Sequence, residues 1–287
     1  MIKNIKIILQ NQFLNYLRKK AMSNDMSLLI FSNDSMGAYI MFNGVAEKHL
    51  LDTILNSLDF ETKNNNCIDV GANIGNHSVY LSSHFKHIFS FEPQKKVHDV
   101  LKLNTQEKNI SIFNYGLSES DKIVELRIPK KRRGTASYVN QSLKDFVIEK
   151  IILKKFDSHH KLEFGFIKID VEGAELEVLK GMKDSICKNL PVIAFEFTKP
   201  SSKNSTSQIL VFLKNLGYEN YYVKKEHISE RLLIGNQLHK RIIRLFLKLF
   251  ISFPINTLRE VNPQMLKHDY NLLICSNNKS QYKIKPL

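Results

Sequence analysis

Apolar and polar positions follow two different periods along this chain, and the change of period divides it. Residues 2–17 place Ile2, Ile5, Leu9, Phe13, Tyr16 and Leu17 at helical spacing, which predicts an N-terminal helix. Two short apolar runs, 28–31 and 38–42, flank a Ser-Asn-Asp-Ser-Met-Gly turn and predict a β-hairpin. Helical spacing returns over 45–58, with Leu50, Leu51, Ile54 and Leu58 on one side.

From residue 67 onward, short apolar runs alternate with amphipathic stretches. Strands are predicted at 67–70, 88–91, 110–114, 166–169, 192–197, 218–223 and 270–275. Helices are predicted from the turn at 71–75 to residue 82, and at 97–105, 175–182 and 209–216. Runs at 123–128 and 151–156 read as inserted strands. Strands alternating with helices predict an α/β fold, a mostly parallel sheet covered on both faces.

The stretch 224–269 breaks the rhythm. Within it Leu238, Ile242, Leu245, Phe246, Leu249 and Phe253 share one helical face, with Arg241, Arg244 and Lys248 off it. The predicted organisation is therefore an N-terminal helix and hairpin (1–44), a main domain (45–223 with 270–276) and a basic helical insertion (224–269).

Charge sharpens this division. The 287 residues carry a formal net charge of +14. Residues 1–20 hold five basic and no acidic residues, and 224–287 hold twelve basic and four acidic. The 203 residues between hold 25 basic and 24 acidic. A main domain that gripped a nucleic-acid backbone would carry the excess itself, so nucleic acid is not the expected partner. The basic ends, 1–20 and 238–253, instead suit peripheral contact with an anionic membrane. The 238–253 helix equally suits packing on the domain or on a second copy of the chain. Three cysteines without a C-x-x-C pair, no signal-like start and no apolar run near the ~20 residues of a spanning helix point to the cytoplasm, with the inner membrane face as a docking place.

The chemistry gathers where predicted strands end. Asp69-Val-Gly-Ala-Asn-Ile-Gly75 closes one strand and opens a helix; Gly71 and Gly75 permit a tight turn and close approach to a ligand. The next strand ends in Phe91-Glu92-Pro93, an acid placed to accept hydrogen bonds from two ribose hydroxyls. The third ends at Asn114 and Gly116. The fourth ends in Lys168-Ile-Asp170-Val-Glu172-Gly-Ala-Glu175, and the fifth carries Glu196 near its end. Carboxylates this close repel one another, which a purely structural role explains poorly.

Together these segments, with 134–137 and Phe156-Asp157, resemble the FkbM family of S-adenosylmethionine-dependent methyltransferases. The resemblance covers about 45–223 and the strand at 270–275. It implies a class I, Rossmann-like methyltransferase with a seven-stranded sheet, one strand antiparallel. It further implies a cofactor held by Asp69, Gly71, Asn73, Gly75, Glu92, Asn114 and Gly116. Asn73 stands where the commoner methyltransferase turn has a middle glycine, and Phe156 where the family usually has Leu.

The implied reaction is O-methylation of a hydroxyl, with a sugar of a glycan or glycolipid as the expected acceptor. A nearby base helps an alcohol by about 10²–10⁴; Asp170 is the first choice, followed by Glu172 and Glu196. Carboxylates also suit Mg²⁺, and a bridging metal stays open at this point. His159 and His160 read as a solvated pair. Two other readings compete. One is an NAD(P)-dependent oxidoreductase, suggested by Tyr221 and Lys225; the other is a non-catalytic membrane- or nucleic-acid-binding module.

Overall fold

A computed structural model describes residues 27–31, 35–106, 108–129, 146–197, 205–224, 257–263 and 270–285, with isolated helical positions at 11, 12, 15 and 19. The 238–253 helix, most of the N-terminal helix, and 134–137 lie outside these residues.

The first element is a helix, not the second arm of a hairpin. α1 (Ser35–Asn43) buries Ile40 against Leu28, Ile30, Phe31, Ile74 and Val97. Tyr39 and Met41, on either side of Ile40, stay half exposed, a pattern that a strand would share, so the helix is decided by its backbone and not by local burial. Residues 28–31 form no strand either. α2 (Lys48–Ser57) and α3 (Phe60–Lys63) follow; α2 turns Leu51, Ile54 and Leu55 inward.

The main sheet is built from β1 (Asn66–Val70), β2 (His87–Phe91), β3 (Ile110–Phe113), β7 (Phe166–Ile169), β8 (Val192–Phe197), β9 (Tyr218–Lys224), β10 (Leu258–Val261) and β11 (Tyr270–Asn277). Its order is β10-β9-β11-β8-β7-β1-β2-β3. The resemblance implied seven strands with one antiparallel. The described residues contain eight, because β10 adds to the edge of β9, and both β10 and β11 run against the rest. β10 falls within the stretch expected to be a helical insertion. Leu258 enters the core there, which gives that short segment a reason to pair.

Helices α4 (Asn76–Leu81), α5 (Lys95–Asn104), α7 (Glu175–Gly181) and α9 (Ser205–Asn215) connect or follow the parallel strands, and the single turn α6 (Phe156–His159) leads into β7. A small second sheet, β4 (Gly116–Leu117), β6 (Phe146–Lys154) and β5 (Lys122–Pro129), sits beyond β3. The strands bury both faces, as a doubly wound sheet requires. Ile68, Val70, Phe91, Ile167 and Ile169 belong to one core; Cys67, Ile88, Phe166, Ala194 and Ile274 belong to the other.

The chain runs from β1 outward to β2 and β3, then returns to β7 on the other side of β1. Open α/β sheets make their ligand crevice at this reversal, beyond the strand carboxyl ends. Here those ends are Val70 and Ile169, which are register partners.

Candidate active site

The turn after β1 is shaped by what lies beside it. A Cβ on Gly71 would sit 1.9 Å from the carbonyl oxygen of Asp170, and the residue has φ +79. Only glycine allows the two strand ends to approach so closely. The amides of Gly71 and Ala72 both donate to the carbonyl of Phe91, tying the turn to the end of β2. Gly75, at φ +88, caps α4 and leaves room for Leu101 of α5. Asn73 takes the left-handed region at φ 51, and its side chain accepts from the amide of Ile74.

Glu92 completes this half. Its two carboxylate oxygens accept from the backbone amides of Asn73 at 3.0 Å and Gln94 at 2.9 Å. It is 4% exposed, and no basic side chain among the described residues pairs with it. Burial pushes its pKa up to about 7 against the pull of those amides. Each oxygen keeps a further lone pair. A buried carboxylate with unused acceptor capacity, at the edge of a glycine turn, fits a vicinal diol such as a ribose.

Asn114 donates to the carbonyls of Glu92 and Pro93, holding the ends of β2 and β3 together. Gly116 lies in β4, where a Cβ would meet Leu153 at 2.7 Å; packing alone accounts for a glycine there. Asp69 sits beneath the turn, fully buried. One oxygen accepts from Ser78 at 2.6 Å and the other faces Lys168 Nζ at 3.2 Å. Its carboxylate thus anchors α4 and β7 to β1 from inside the fold.

Lys168 links this half to the acidic half. It is 2% exposed in the middle of an apolar strand, and it reaches Asp69 and, at 3.4 Å, Asp170. The two carboxylates hold its pKa above the usual lysine value although burial opposes this. Asp170 follows β7 and remains partly open, its side chain 38% exposed. Extending the β7–β8 register by one pair past Ile169 and Phe195 sets Glu196 beside it. Glu172 has φ 54 in the loop before α7. Burial, then the charges of Asp170 and Glu175, push Glu172 up to about 7. Burial, then Asp170, Glu172, Glu175 and Glu47, does the same for Glu196. Glu175 turns back to accept from the amides of Gly173 and Val171 and so braces the loop.

The structure therefore brings Asp170, Glu172 and Glu196 together, next to the turn that Glu92 and Asn73 border. Lys168 and Ser78 hold Asp69 beneath the turn, and Asn76 and His77 open the helix after it and bond Ala46, next to Glu47; none of these was singled out from sequence. A lysine inside Phe-Ile-Lys-Ile was the one available signal.

The histidine pair divides. His159 bonds the exposed Asp121. His160 stacks on Phe156 and bonds Tyr115, so it belongs to an aromatic cluster and not to a solvated pair. Asp157 accepts from the amides of Asp184 and Ser185 and caps α8 (Lys183–Asn189). Tyr221 is buried in β9 with its hydroxyl on the carbonyl of Tyr218, which removes the oxidoreductase-like pair. Among the described residues no group of three or more His, Cys, Asp or Glu has metal-binding geometry. No helix among them is long and apolar enough to cross a membrane.

Comparison with known proteins gives three kinds of match. The methyltransferase FkbM domain matches residues 69–219, just over half of the chain. The hexuronic acid methyltransferase AglP of Haloferax volcanii is 31% identical over 127 residues, covering 41% of this chain and 50% of that protein. The methyltransferase sdnD of Sordaria araneosa is 26% identical over 190 residues, covering 53% of this chain and 73% of that protein. This chain thus spans half the length of the first relative. Among solved structures, an FkbM methyltransferase from Methylobacillus flagellatus KT aligns with a TM-score of 0.37 at 18% identity, over 58% of this chain and 43% of that one.

Proposed function

Because the chain belongs to the FkbM methyltransferase family, we propose that it transfers a methyl group from S-adenosylmethionine to a hydroxyl oxygen of a sugar. The observation that carries this reading is the meeting of two half-sites at the β1–β7 reversal. One is a buried carboxylate with unused acceptor capacity beside a glycine turn; the other is a cluster of partly buried acids. The sugar acceptor draws support from the hexuronic acid named for the Haloferax relative.

The cofactor supplies an activated methyl group when bound. Glu92 would accept the ribose hydroxyls, and the turn from Gly71 to Gly75 would follow the methionine part. The chain's remaining work is alignment and proton removal. Alignment of reacting groups can supply roughly 7–11 kcal/mol of a barrier. A general base works best with a pKa near the operating pH, and Glu172 and Glu196 lie there. Asp170, which faces Lys168 at 3.4 Å, would hold the acceptor hydroxyl while its proton passes to these acids.

The base must be ionised to act. Transfer should therefore rise with pH through about 7 and level off above it, as Glu172 and Glu196 lose their protons. The test is transfer of labelled methyl to fractionated envelope glycans, followed by mild alkali. A methyl ether on a hydroxyl survives alkali; release of the label would mean an ester and remove the hydroxyl acceptor. Asp170→Asn should lower transfer by about 10²–10⁴ while cofactor affinity stays close to wild type. Full activity would take Asp170 out of the mechanism.

A further inference from the structure

The first two residues of α4 grip the chain at Ala46 from both sides. Asn76 Oδ1 accepts from the Ala46 amide at 2.8 Å, and His77 Nε2 lies 3.1 Å from the Ala46 carbonyl. A carbonyl only accepts, so the ring carries a proton on Nε2. Burial holds the His77 pKa below its usual value, which keeps the ring neutral. Asn76 is more than nine-tenths buried, and its Nδ2 meets no hydrogen-bond partner. An amide with a stranded nitrogen is held in place for what its oxygen does.

The clamp decides where the next residue goes. Glu47 adopts φ 55, ψ 22, a left-handed conformation that few non-glycine residues take. Four non-glycine residues among those described have positive φ: Glu47, Asn73, Glu172 and Leu190. Three of them border the candidate site, and such conformations gather at functional sites. The Glu47 carboxylate lies 3.9 Å from His77 Nε2, and its charge is felt at Glu196. Residue 47 thus stands beside the helix that the glycine turn opens, within electrostatic range of β8.

We propose that Glu47 is a cofactor-binding residue, presented by the clamp on Ala46 to the positively charged methionine end of S-adenosylmethionine. This rests on the cofactor reading above. Through Ala46, Glu47 is anchored to the first two residues of α4, the helix that the glycine turn opens. That end of the cofactor carries an ammonium as well as the sulfonium, and a carboxylate stabilises such a cation by a charge-assisted hydrogen bond.

Calorimetry on the full chain tests this without an acceptor. The ligands are S-adenosylhomocysteine, which keeps the ammonium, and 5′-methylthioadenosine, which lacks the amino-acid end. Glu47→Gln should weaken S-adenosylhomocysteine about tenfold, the loss of one charge-assisted bond, and leave methylthioadenosine unchanged. Glu47→Asp should recover part of the loss. Unchanged affinity for S-adenosylhomocysteine, or equal weakening of both ligands, would overturn the proposal. A wild-type protein that binds neither ligand would sink the cofactor reading and this inference together.

Discussion

At the scale of single residues, Glu92 is the clearest case of a carboxylate buried at a cost to the fold. Its ordinary pKa is 4.5 and burial raises it to about 7. Between those values the folded protein keeps a proton that the unfolded chain has released. Stability from this group is therefore full below pH 4.5, falls as pH rises through about 7, and is level above that. The loss is on the order of 3 kcal/mol. Glu92→Gln has no such charge to desolvate, so its denaturant midpoint should fall less between pH 5 and pH 8 than that of wild type. Equal falls in the two proteins would contradict the assignment. Glu92 was legible in the sequence because an acid closes an apolar run just before a proline. Lys168 was half legible, as a cation in an apolar strand. Glu47 and His77 were not, because the clamp joins residues about thirty positions apart and leaves no local pattern.

At the scale of elements, local pattern decided the strands of the sheet centre and failed at segments whose neighbours lie far away in sequence. The strands at β1, β7 and β8 are buried on both faces, and their apolar runs, each broken by one charged residue, announce them. The five-residue run at 38–42 fits either period, and only contact with Ile74 and Val97 makes it a helix. The start of α8 is set by Asp157, 27 residues upstream, whose carboxylate caps two amides. No local reading could find it. The pairing of β1 with β7 also has a consequence for stability. Asp69 and Lys168 are register partners and both are buried. Removing one charge of a buried pair typically costs about 3–5 kcal/mol, because the other is left uncompensated. Lys168→Met should lose about that much in urea unfolding, and adding Asp69→Asn should restore part of it. A single variant as stable as wild type would show that the pair does not hold the strands.

At the scale of the whole molecule, the sheet and the charge distribution answer different questions. Strand order places the crevice at the β1–β7 reversal, and the site residues follow from that placement. The class I methyltransferase sheet was legible because its strands alternate with helices and its motifs sit at strand ends. The eighth strand was not, since β10 carries Arg259 and Glu260 at its centre and forms through Leu258 and its pairing with β9. The positive charge lies mostly in the two ends, and the residues between them, which carry the candidate site, are nearly neutral. The central claim is that the crevice is built for S-adenosylmethionine through Glu92. The most direct measurement is calorimetric titration of wild type and Glu92→Ala with S-adenosylhomocysteine, with NADH as the competing ligand. The account predicts one S-adenosylhomocysteine per chain, affinity at least about tenfold weaker in the variant, and no binding of NADH. Binding of NADH in place of S-adenosylhomocysteine, or equal affinity in the two proteins, would contradict it.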